Sequence, residues 1–231
     1  MFFLISTPIG NLSDISARAL DTLRACDTLL CEDTRVSRTL LRAHQIDKPL
    51  LSCHAFNERK REAHVIDLLR QGRSVGLLSD AGTPALCDPG ARLVDRCHRE
   101  NIPVRAIPGP CALITALSLS GYVGAQFQFV GYLPRKKGPL TRLFDAMLDY
   151  SGASIAYETP HRLLKTLTLL KDHAPHASLF LVKELTKKYE SHFRGTAASL
   201  SASFATISIK GEWVLILLPP SSSPLPQGLA S

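Results

Sequence analysis

The sequence predicts an α/β protein of two domains, in which an N-terminal parallel, doubly wound sheet is followed by a C-terminal domain of mixed and antiparallel strands. Short apolar runs alternate with segments of helical period from Phe2 to Ser118. After Gly121 the alternation loosens, and the last strands have few helices between them. We therefore expect domains at 1–119 and 120–218, with a mobile, Pro/Ser-rich tail at 219–231.

The N-terminal half has the rhythm of repeated strand–helix units. Apolar runs predict strands at 2–6, 28–31, 50–53, 75–78 and 104–107. Segments of helical period predict helices at 14–25, 37–43, 58–70, 91–101 and 112–118. This alternation is typical of a parallel sheet with helices on both faces.

The C-terminal half combines two strand–helix units with a late group of strands. Strands are expected at 127–130 and 154–157, helices at 140–148 and 160–170, and a basic loop at 133–138. The late strands are expected at 179–183, 192–195, 206–210 and 212–218. Because little helix separates these late strands, we expect antiparallel pairing.

The composition is that of a folded, basic protein. Lys+Arg 27 and Asp+Glu 20 give a net charge of +7, which favours a polyanionic partner, although a basic enzyme without one has the same balance. Hydrophobic residues make up 45%, which excludes a disordered chain. Six cysteines without a CxxC pair predict a reduced, cytoplasmic protein without a metal site, and no apolar run reaches the roughly 20 residues of a membrane span.

Three turns rich in Gly and Pro follow predicted strands, where parallel sheets bind ligands. They are Thr7-Pro8-Ile9-Gly10-Asn11, Ser79-Asp80-Ala81-Gly82-Thr83-Pro84 and Pro108-Gly109-Pro110. A carboxylate such as Asp80 beside small residues can accept hydrogen bonds from ribose hydroxyls or an ammonium group. The alternative is a set of ordinary turns, with Asp88 capping the helix that follows.

Four polar segments also follow or end strands: Glu32–Arg35, His54 with Asn57-Glu58, Glu158–Arg162 and Lys183–Lys187. We expect them to face one crevice, although each alone is equally consistent with a solvated loop or a structural ion pair. The chain has no GxxxxGK[ST], HExxH or GxSxG motif, which argues against nucleotide hydrolysis, zinc proteolysis and α/β-hydrolase chemistry.

Taken in order, the segments TPIGNLSD, CEDTR, SDAGTP, PGPCALITAL, GYLPRKKG, YETPHRL, KELTK and GEWVLIL resemble the ribosomal RNA small subunit methyltransferase I family of the tetrapyrrole methylase superfamily. The resemblance implies a cofactor cleft between two α/β domains, S-adenosylmethionine as methyl donor, a homodimer, and the ribose 2′-oxygen of a cytidine in 16S rRNA as acceptor. It implies no metal and no membrane.

The matching motifs indicate which residues of this chain have functional roles. The residues implied to bind the cofactor are Pro8, Asp80, Ala81, Gly82, Thr83, Ala112, Leu113, Tyr157 and Leu185. A ribose hydroxyl needs a group that takes its proton during attack, and Glu158 is the first candidate, with Glu184 and Lys183 behind it. The residues expected to bind the RNA are Asn11, Arg18, Arg35, Arg135, Lys136, Lys137, His161, Arg162 and Lys187.

Two other functions fit parts of the same pattern. A small-molecule methyltransferase acting on an acidic tetrapyrrole would also use a basic cleft, but TPIGN replaces the Gly-rich first loop of that branch. A non-catalytic RNA-binding module on the same fold would need neither SDAGTP nor YETPHR. Binding of S-adenosylmethionine separates this module from both enzymes.

Overall fold

A computed structural model describes residues 1–54, 56–204 and 207–219. The chain divides into two compact units, one spanning Met1–Cys111 and the other beginning at Ala112. Among the described residues no helix is both long and apolar enough to cross a membrane.

The first unit is built on a five-stranded parallel sheet. Its strands are β1 Phe2–Ile5, β2 Thr28–Cys31, β3 Leu50–Ser52, β4 Val75–Leu78 and β5 Val104–Ile107. Its helices are α1 Ala17–Ala25, α2 Thr34–Ala43, α3 Glu58–Arg70 and α4 Ala91–Arg99. The strand order is β3-β2-β4-β1-β5 and every pair is parallel, which confirms the fold class predicted for this half.

The helices of the first unit cover both faces of its sheet. Leu23 of α1 and Leu41 of α2 share one apolar core with Leu29 of β2. Helices α3 and α4 supply Ile66 and Leu93 to a second core. The chain therefore leaves β1 and β2 toward one face, and β3 and β4 toward the other. In the order β3-β2-β4-β1, the connections that follow neighbouring strands therefore run to opposite faces, and crevices open between such connections at the carboxyl ends of the strands.

Capping side chains determine where the first helices begin. The predicted helix at 14–25 is a 3-10 turn at Leu12–Asp14 followed by α1, because the side chain of Ser16 accepts a hydrogen bond from the Ala19 amide and starts a new helix. Helix α2 begins at Thr34 rather than at residue 37, because the Asp33 carboxylate caps the Arg35 amide.

The second unit contains a mixed five-stranded sheet. Its strands are β6 Phe127–Tyr132, β7 Ala153–Glu158, β8 Ser178–Lys183, β9 Ser191–Thr196 and β10 Trp213–Leu218. Its helices are α5 Ala112–Leu119, α6 Lys137–Asp149, α7 Pro160–His173 and α8 Ala197–Ser203. The order is β6-β7-β10-β8-β9, with β6 and β7 parallel and the other pairs antiparallel, as predicted for this half.

Two features of the second unit differ from the sequence prediction. Helix α8 was not predicted; it begins directly after β9 because Thr196 and Ser199 form a reciprocal capping box. The strand predicted at 206–210 is absent from 207–210, while residue 206 lies outside the described residues. Side chains hold this segment instead: Lys183 Nζ donates to the Ser208 carbonyl at 2.9 Å, and Trp213 Nε1 donates to the Ile209 carbonyl at 2.9 Å.

The two ends of the second unit also bear on the predicted domain limits. Helix α5 contacts β7 and β10, and the second unit accordingly begins at Ala112, ahead of the boundary expected at 119/120. The tail expected at 219–231 lies outside the described residues from 220 onward.

Candidate functional site

In the first unit, the turns after β1 and β4 are hydrogen-bonded to each other through their backbones. The Thr7 amide donates to the Gly82 carbonyl at 2.9 Å, and the Gly82 amide donates back to the Thr7 carbonyl at 3.1 Å. The buried hydroxyl of Thr7 also donates to the Ser79 carbonyl at 3.0 Å. These bonds hold the TPIGN and SDAGTP turns as one piece.

The turn after β5 joins the same assembly. Thr83 Oγ1 donates to the Pro110 carbonyl at 3.1 Å and accepts from Ser6 Oγ at 3.3 Å. A Cβ at Gly109 would lie 2.9 Å from Ser6 Cβ, so only glycine fits this approach. Gly82 has φ +84°, a left-handed conformation that glycine adopts without strain. The three predicted ligand turns are therefore mutually fixed at one edge of the sheet.

Asp80 lies half-buried at this edge. One carboxylate oxygen accepts from the Asp33 amide at 3.0 Å, which joins the ends of β2 and β4. Burial raises the pKa of the Asp80 carboxyl, and the nearby Asp33 and Asp88 carboxylates raise it further. Asp88 does not cap the next helix; it accepts from Ser79 Oγ, and Gly90 occupies the N-cap position.

A cavity of about 490 Å³ opens beside Asp80, at the carboxyl ends of β2 and β3. Its lining residues come from the CEDTR segment, the end of β3 and the turn before α3: Glu32, Asp33, Thr34, Arg35, Ser52, His54, Phe56 and Asp80. Phe56 is 95% exposed, and its ring centroid lies 6.1 Å from that of His54 in an edge-to-face arrangement. The ring thus adds an exposed apolar surface to an otherwise polar lining.

The acidic groups of this cavity differ in their surroundings. Arg35 hydrogen-bonds the Asp33 carboxylate and lowers its pKa to about 2. Glu32 has no hydrogen bond or ion pair to its carboxylate among the described residues, and burial, with Asp88 and Asp80 adding to it, raises its pKa. His54 Nδ1 is buried and has no hydrogen-bond partner in the described part of the chain.

In the second unit, the Glu158 carboxylate is buried and occupied by hydrogen bonds within the protein. Its side chain is 0% exposed and accepts from the Thr159 amide at 2.8 Å and from Thr166 Oγ1 at 2.6 Å. Arg162 pairs with the same carboxylate at 3.2 Å and donates to the Leu133 and Pro134 carbonyls. These contacts argue against the predicted roles of Glu158 as proton acceptor and Arg162 as RNA contact, because both groups are used to anchor the start of α7.

The KELTK segment after β8 has a strained backbone. Glu184 has φ +50° and Thr186 has φ +64°, which places two non-glycine residues in the left-handed region. Burial would raise the pKa of Glu184, but hydrogen bonds from the Glu212 amide and Lys187 outweigh it, so that the pKa is lowered. Leu185 is 7% exposed between them, and Lys183 and Glu184 line a separate cavity of about 640 Å³.

The remaining predicted residues divide by exposure. Pro8 and Leu113 are buried, and Ala81 is exposed, whereas Ala112 and Tyr157 are half-buried. The exposed basic residues are Arg18, Arg35, Arg135, Lys136, Lys137 and His161. Asn11 accepts from the Ser13 amide at 3.1 Å and so caps the 3-10 turn, while Lys187 pairs with Glu184 and Glu212.

Sequence reasoning missed Phe56. The residue sits between a predicted strand and a predicted helix, beside a histidine, and only its exposure separates it from an ordinary core residue. Among the residues that the structure describes, no group of three or more His, Cys, Asp or Glu side chains is placed to hold a metal ion.

Residues 1–201 match the model of the tetrapyrrole (corrin/porphyrin) methylase family. A protein of Mesomycoplasma conjunctivae named ribosomal RNA small subunit methyltransferase I is 45% identical over 93% of this chain and 89% of its own length. Proteins of the same name from Thermotoga maritima and Bacillus subtilis are 40% and 36% identical, over 93% and 94% of this chain and 96% and 74% of their own lengths.

Solved structures share the fold at low sequence identity. A diphthine synthase superposes with a TM-score of 0.74 at 14% identity, covering 94% of this chain and 89% of that one. A cobalt precorrin-4 methyltransferase superposes with a TM-score of 0.67 at 16% identity, covering 94% and 93%. With its parallel sheet, its interlocked strand-end turns and these relatives, the chain belongs to the tetrapyrrole methylase family and is a methyltransferase of the ribosomal RNA small subunit methyltransferase I group.

Proposed function

We propose that this methyltransferase transfers a methyl group from S-adenosylmethionine to the ribose 2′-oxygen of a cytidine in 16S rRNA. Relatives between 36% and 45% identical are named ribosomal RNA small subunit methyltransferase I. The observation that carries the proposal is the bonded pair of turns at Thr7 and Gly82, because it holds the family's TPIGN and SDAGTP segments in one fixed arrangement.

The residues at this edge fit S-adenosylmethionine chemically. The cofactor carries a cationic ammonium and two ribose hydroxyls, and Asp80 is a half-buried carboxylate whose pKa is raised by burial and by the neighbouring Asp33 and Asp88 carboxylates. Ala81 is exposed, and Gly82 lets the backbone pass close to a ligand. When bound, the cofactor supplies a methyl group on a sulfonium.

The proposed cofactor contacts are the residues that the resemblance implies: Pro8, Asp80, Ala81, Gly82, Thr83, Ala112, Leu113, Tyr157 and Leu185. The strained backbone on either side of Leu185 supports this, because such conformations cluster at ligand sites.

Transfer to a hydroxyl requires that its proton leave during attack. Of the three candidates, Glu158 has no exposed side-chain surface, whereas Lys183 and Glu184 line a cavity at the end of β8. The proposal therefore keeps Glu184 and Lys183 near the acceptor and gives Glu158 a structural role. Exposed Arg35, Arg135 and His161 are proposed to contact RNA phosphates, and their contribution should fall as salt rises.

The test is transfer of labelled methyl to isolated small ribosomal subunits that lack the modification, followed by nuclease mapping, with a tetrapyrrole acceptor in parallel. Label in a single 2′-O-methylcytidine is expected. Label only in the tetrapyrrole would move the chain to the small-molecule branch. Cofactor binding without label in either acceptor would refute the proposed acceptor.

We also propose that the protein is a homodimer, as the resemblance implies. Light scattering coupled to size-exclusion chromatography should then give twice the 25.2 kDa of one chain. A mass equal to one chain at micromolar concentration would contradict this.

A further inference from the structure

The cavity between the ends of β2 and β3 has the chemistry of a nucleoside site. Its described lining residues include three carboxylates, from Glu32, Asp33 and Asp80, and one guanidinium, that of Arg35, which already pairs with Asp33 at 2.6 Å. Such a cavity repels phosphates and polycarboxylates but accepts hydrogen bonds from hydroxyl and amino groups. Its volume of about 490 Å³ lies in the range that holds one small organic ligand.

Two groups in this cavity have no partner of their own. The Glu32 carboxylate makes no hydrogen bond or ion pair with any described residue, although it is half-buried. His54 Nδ1 is shielded from solvent and equally unbonded within the described residues. Buried polar groups normally have partners, and of these two the Glu32 carboxylate is the one suited to a bond with a ligand, because Nδ1 of His54 has no accessible surface.

Phe56 provides the flat apolar surface that a base requires. Its side chain lines the cavity and is 95% exposed, so a base stacked on it would remove apolar surface from water. Single-stranded nucleic acids bind by stacking bases on such rings.

We propose that this cavity binds the nucleoside of the acceptor nucleotide, with the base stacked on Phe56 and a sugar hydroxyl or base amino group donating to Glu32. The inference rests on the proposed function and extends it by naming the residues that hold the acceptor's base. The phosphates on either side would lie outside the acidic cavity, where the side chain of Arg35 is 89% exposed. Asp80 belongs both to this cavity and to the proposed cofactor turn, so one residue borders both ligands.

The test measures the affinity of fluorescein-labelled octacytidylate RNA for the full chain by anisotropy at fixed salt. Phe56→Ala should weaken binding by about 5- to 150-fold, the range that loss of one stacked base produces. Val123→Ala, at a 99% exposed apolar residue outside the cavity, should leave affinity unchanged.

A second comparison uses two charge variants, one inside the cavity and one outside it, whose expected effects on RNA binding differ in direction. Glu32→Gln and Asp47→Asn each remove one negative charge, and Asp47 is an exposed residue outside the cavity lining. General electrostatics predicts that both variants bind RNA more tightly. The proposal predicts that Asp47→Asn binds equally or more tightly, whereas Glu32→Gln binds severalfold more weakly.

Separate readouts distinguish the two proposals. Each variant is also assayed for S-adenosylmethionine binding by equilibrium dialysis, which should match that of the wild type. Suppose that the wild type methylates small subunits. If Phe56→Ala and Glu32→Gln then bind octacytidylate and methylate as the wild type does, the cavity proposal is overturned and the methyltransferase proposal stands. The same conclusion follows if no variant binds this RNA. A wild type that binds no S-adenosylmethionine overturns the proposed function itself.

Discussion

Replacing Glu158 by glutamine should destabilise the second unit without removing a catalytic group. The carboxylate accepts three donors, the Thr159 amide at 2.8 Å, Thr166 Oγ1 at 2.6 Å and the Arg162 guanidinium at 3.2 Å. A glutamine amide has one oxygen, so in either orientation its NH₂ group faces at least one N–H donor. With a hydrogen bond to a charged group worth about 1.5–3 kcal/mol, the expected loss of unfolding free energy is about 2–4 kcal/mol.

The protein carries its own probe for this experiment. Trp213 is the single tryptophan and lies directly opposite Glu158 in the β7–β10 pair, so urea unfolding can be followed by its fluorescence. Thr166→Val is the matched control, because it keeps the shape and removes one of the three donors; a smaller loss of about 1–2 kcal/mol is expected.

Activity decides between the structural and the catalytic role. Below its unfolding transition, Glu158→Gln should transfer methyl groups within about twofold of the wild-type rate, because the role we assign adds nothing to transition-state stabilisation. Unchanged unfolding free energy together with a hundredfold or greater loss of methyl transfer, at unchanged S-adenosylmethionine affinity, would refute the structural role.

Three further outcomes follow from the first unit. Gly90→Ala should lower the unfolding free energy by about 2–4 kcal/mol, since φ is +130° and the new Cβ would lie 2.2 Å from Leu77 Cδ2; an unchanged urea midpoint would contradict this. Because burial raises the pKa of Glu32 above its ordinary 4.5, the native state favours the protonated carboxyl. The contribution of that protonated form to the unfolding free energy is lost as pH rises through the native pKa. Glu32→Gln should therefore melt at a higher temperature than the wild type at pH 8, and the difference in melting temperature should be smaller at pH 4. A difference that shrinks as pH rises toward 8 would argue against this effect of burial. In the native protein a thiol reagent should modify exposed Cys87 first and half-buried Cys111 more slowly, as followed by peptide mass spectrometry. The four buried thiols are Cys26, Cys31, Cys53 and Cys97, and burial raises the pKa of Cys26, Cys53 and Cys97 to about 11. Early modification of any of the four would contradict the packing.

Much of the sheet architecture could be predicted from sequence because its strands are short apolar runs between turn residues. Strands β2, β4 and β5 and helix α3 have the predicted limits. Helix starts were less predictable, since they depend on which of several polar residues caps, as Asp33 does for α2. Helix α8 was missed because its small and hydroxyl-bearing residues show little periodicity.

The site residues could be named from motifs, but their surroundings could not. Glu158 ends one apolar strand and Glu32 follows another, yet the first is buried against three donors while the second has none among the described residues. The donors to Glu158 all lie within eight residues of it, at the start of α7, whereas the helix that follows Glu32 directs no donor among the described residues to its carboxylate. The exposure of Phe56 likewise cannot be read from the pattern around it.

The position of β1 has a consequence for synthesis on the ribosome. This apolar strand lies between β4 and β5, so it is translated before either neighbour and gains its second partner only when Val104–Ile107 is available. At a translation rate of about 5–20 residues per second, the delay is roughly 5–20 s. During that interval the edge of Phe2–Ile5 that pairs with β5 is open to chaperones or to other nascent chains, and the other edge is open until Val75–Leu78 is available; slowing translation ahead of residue 104 should therefore lower the soluble yield.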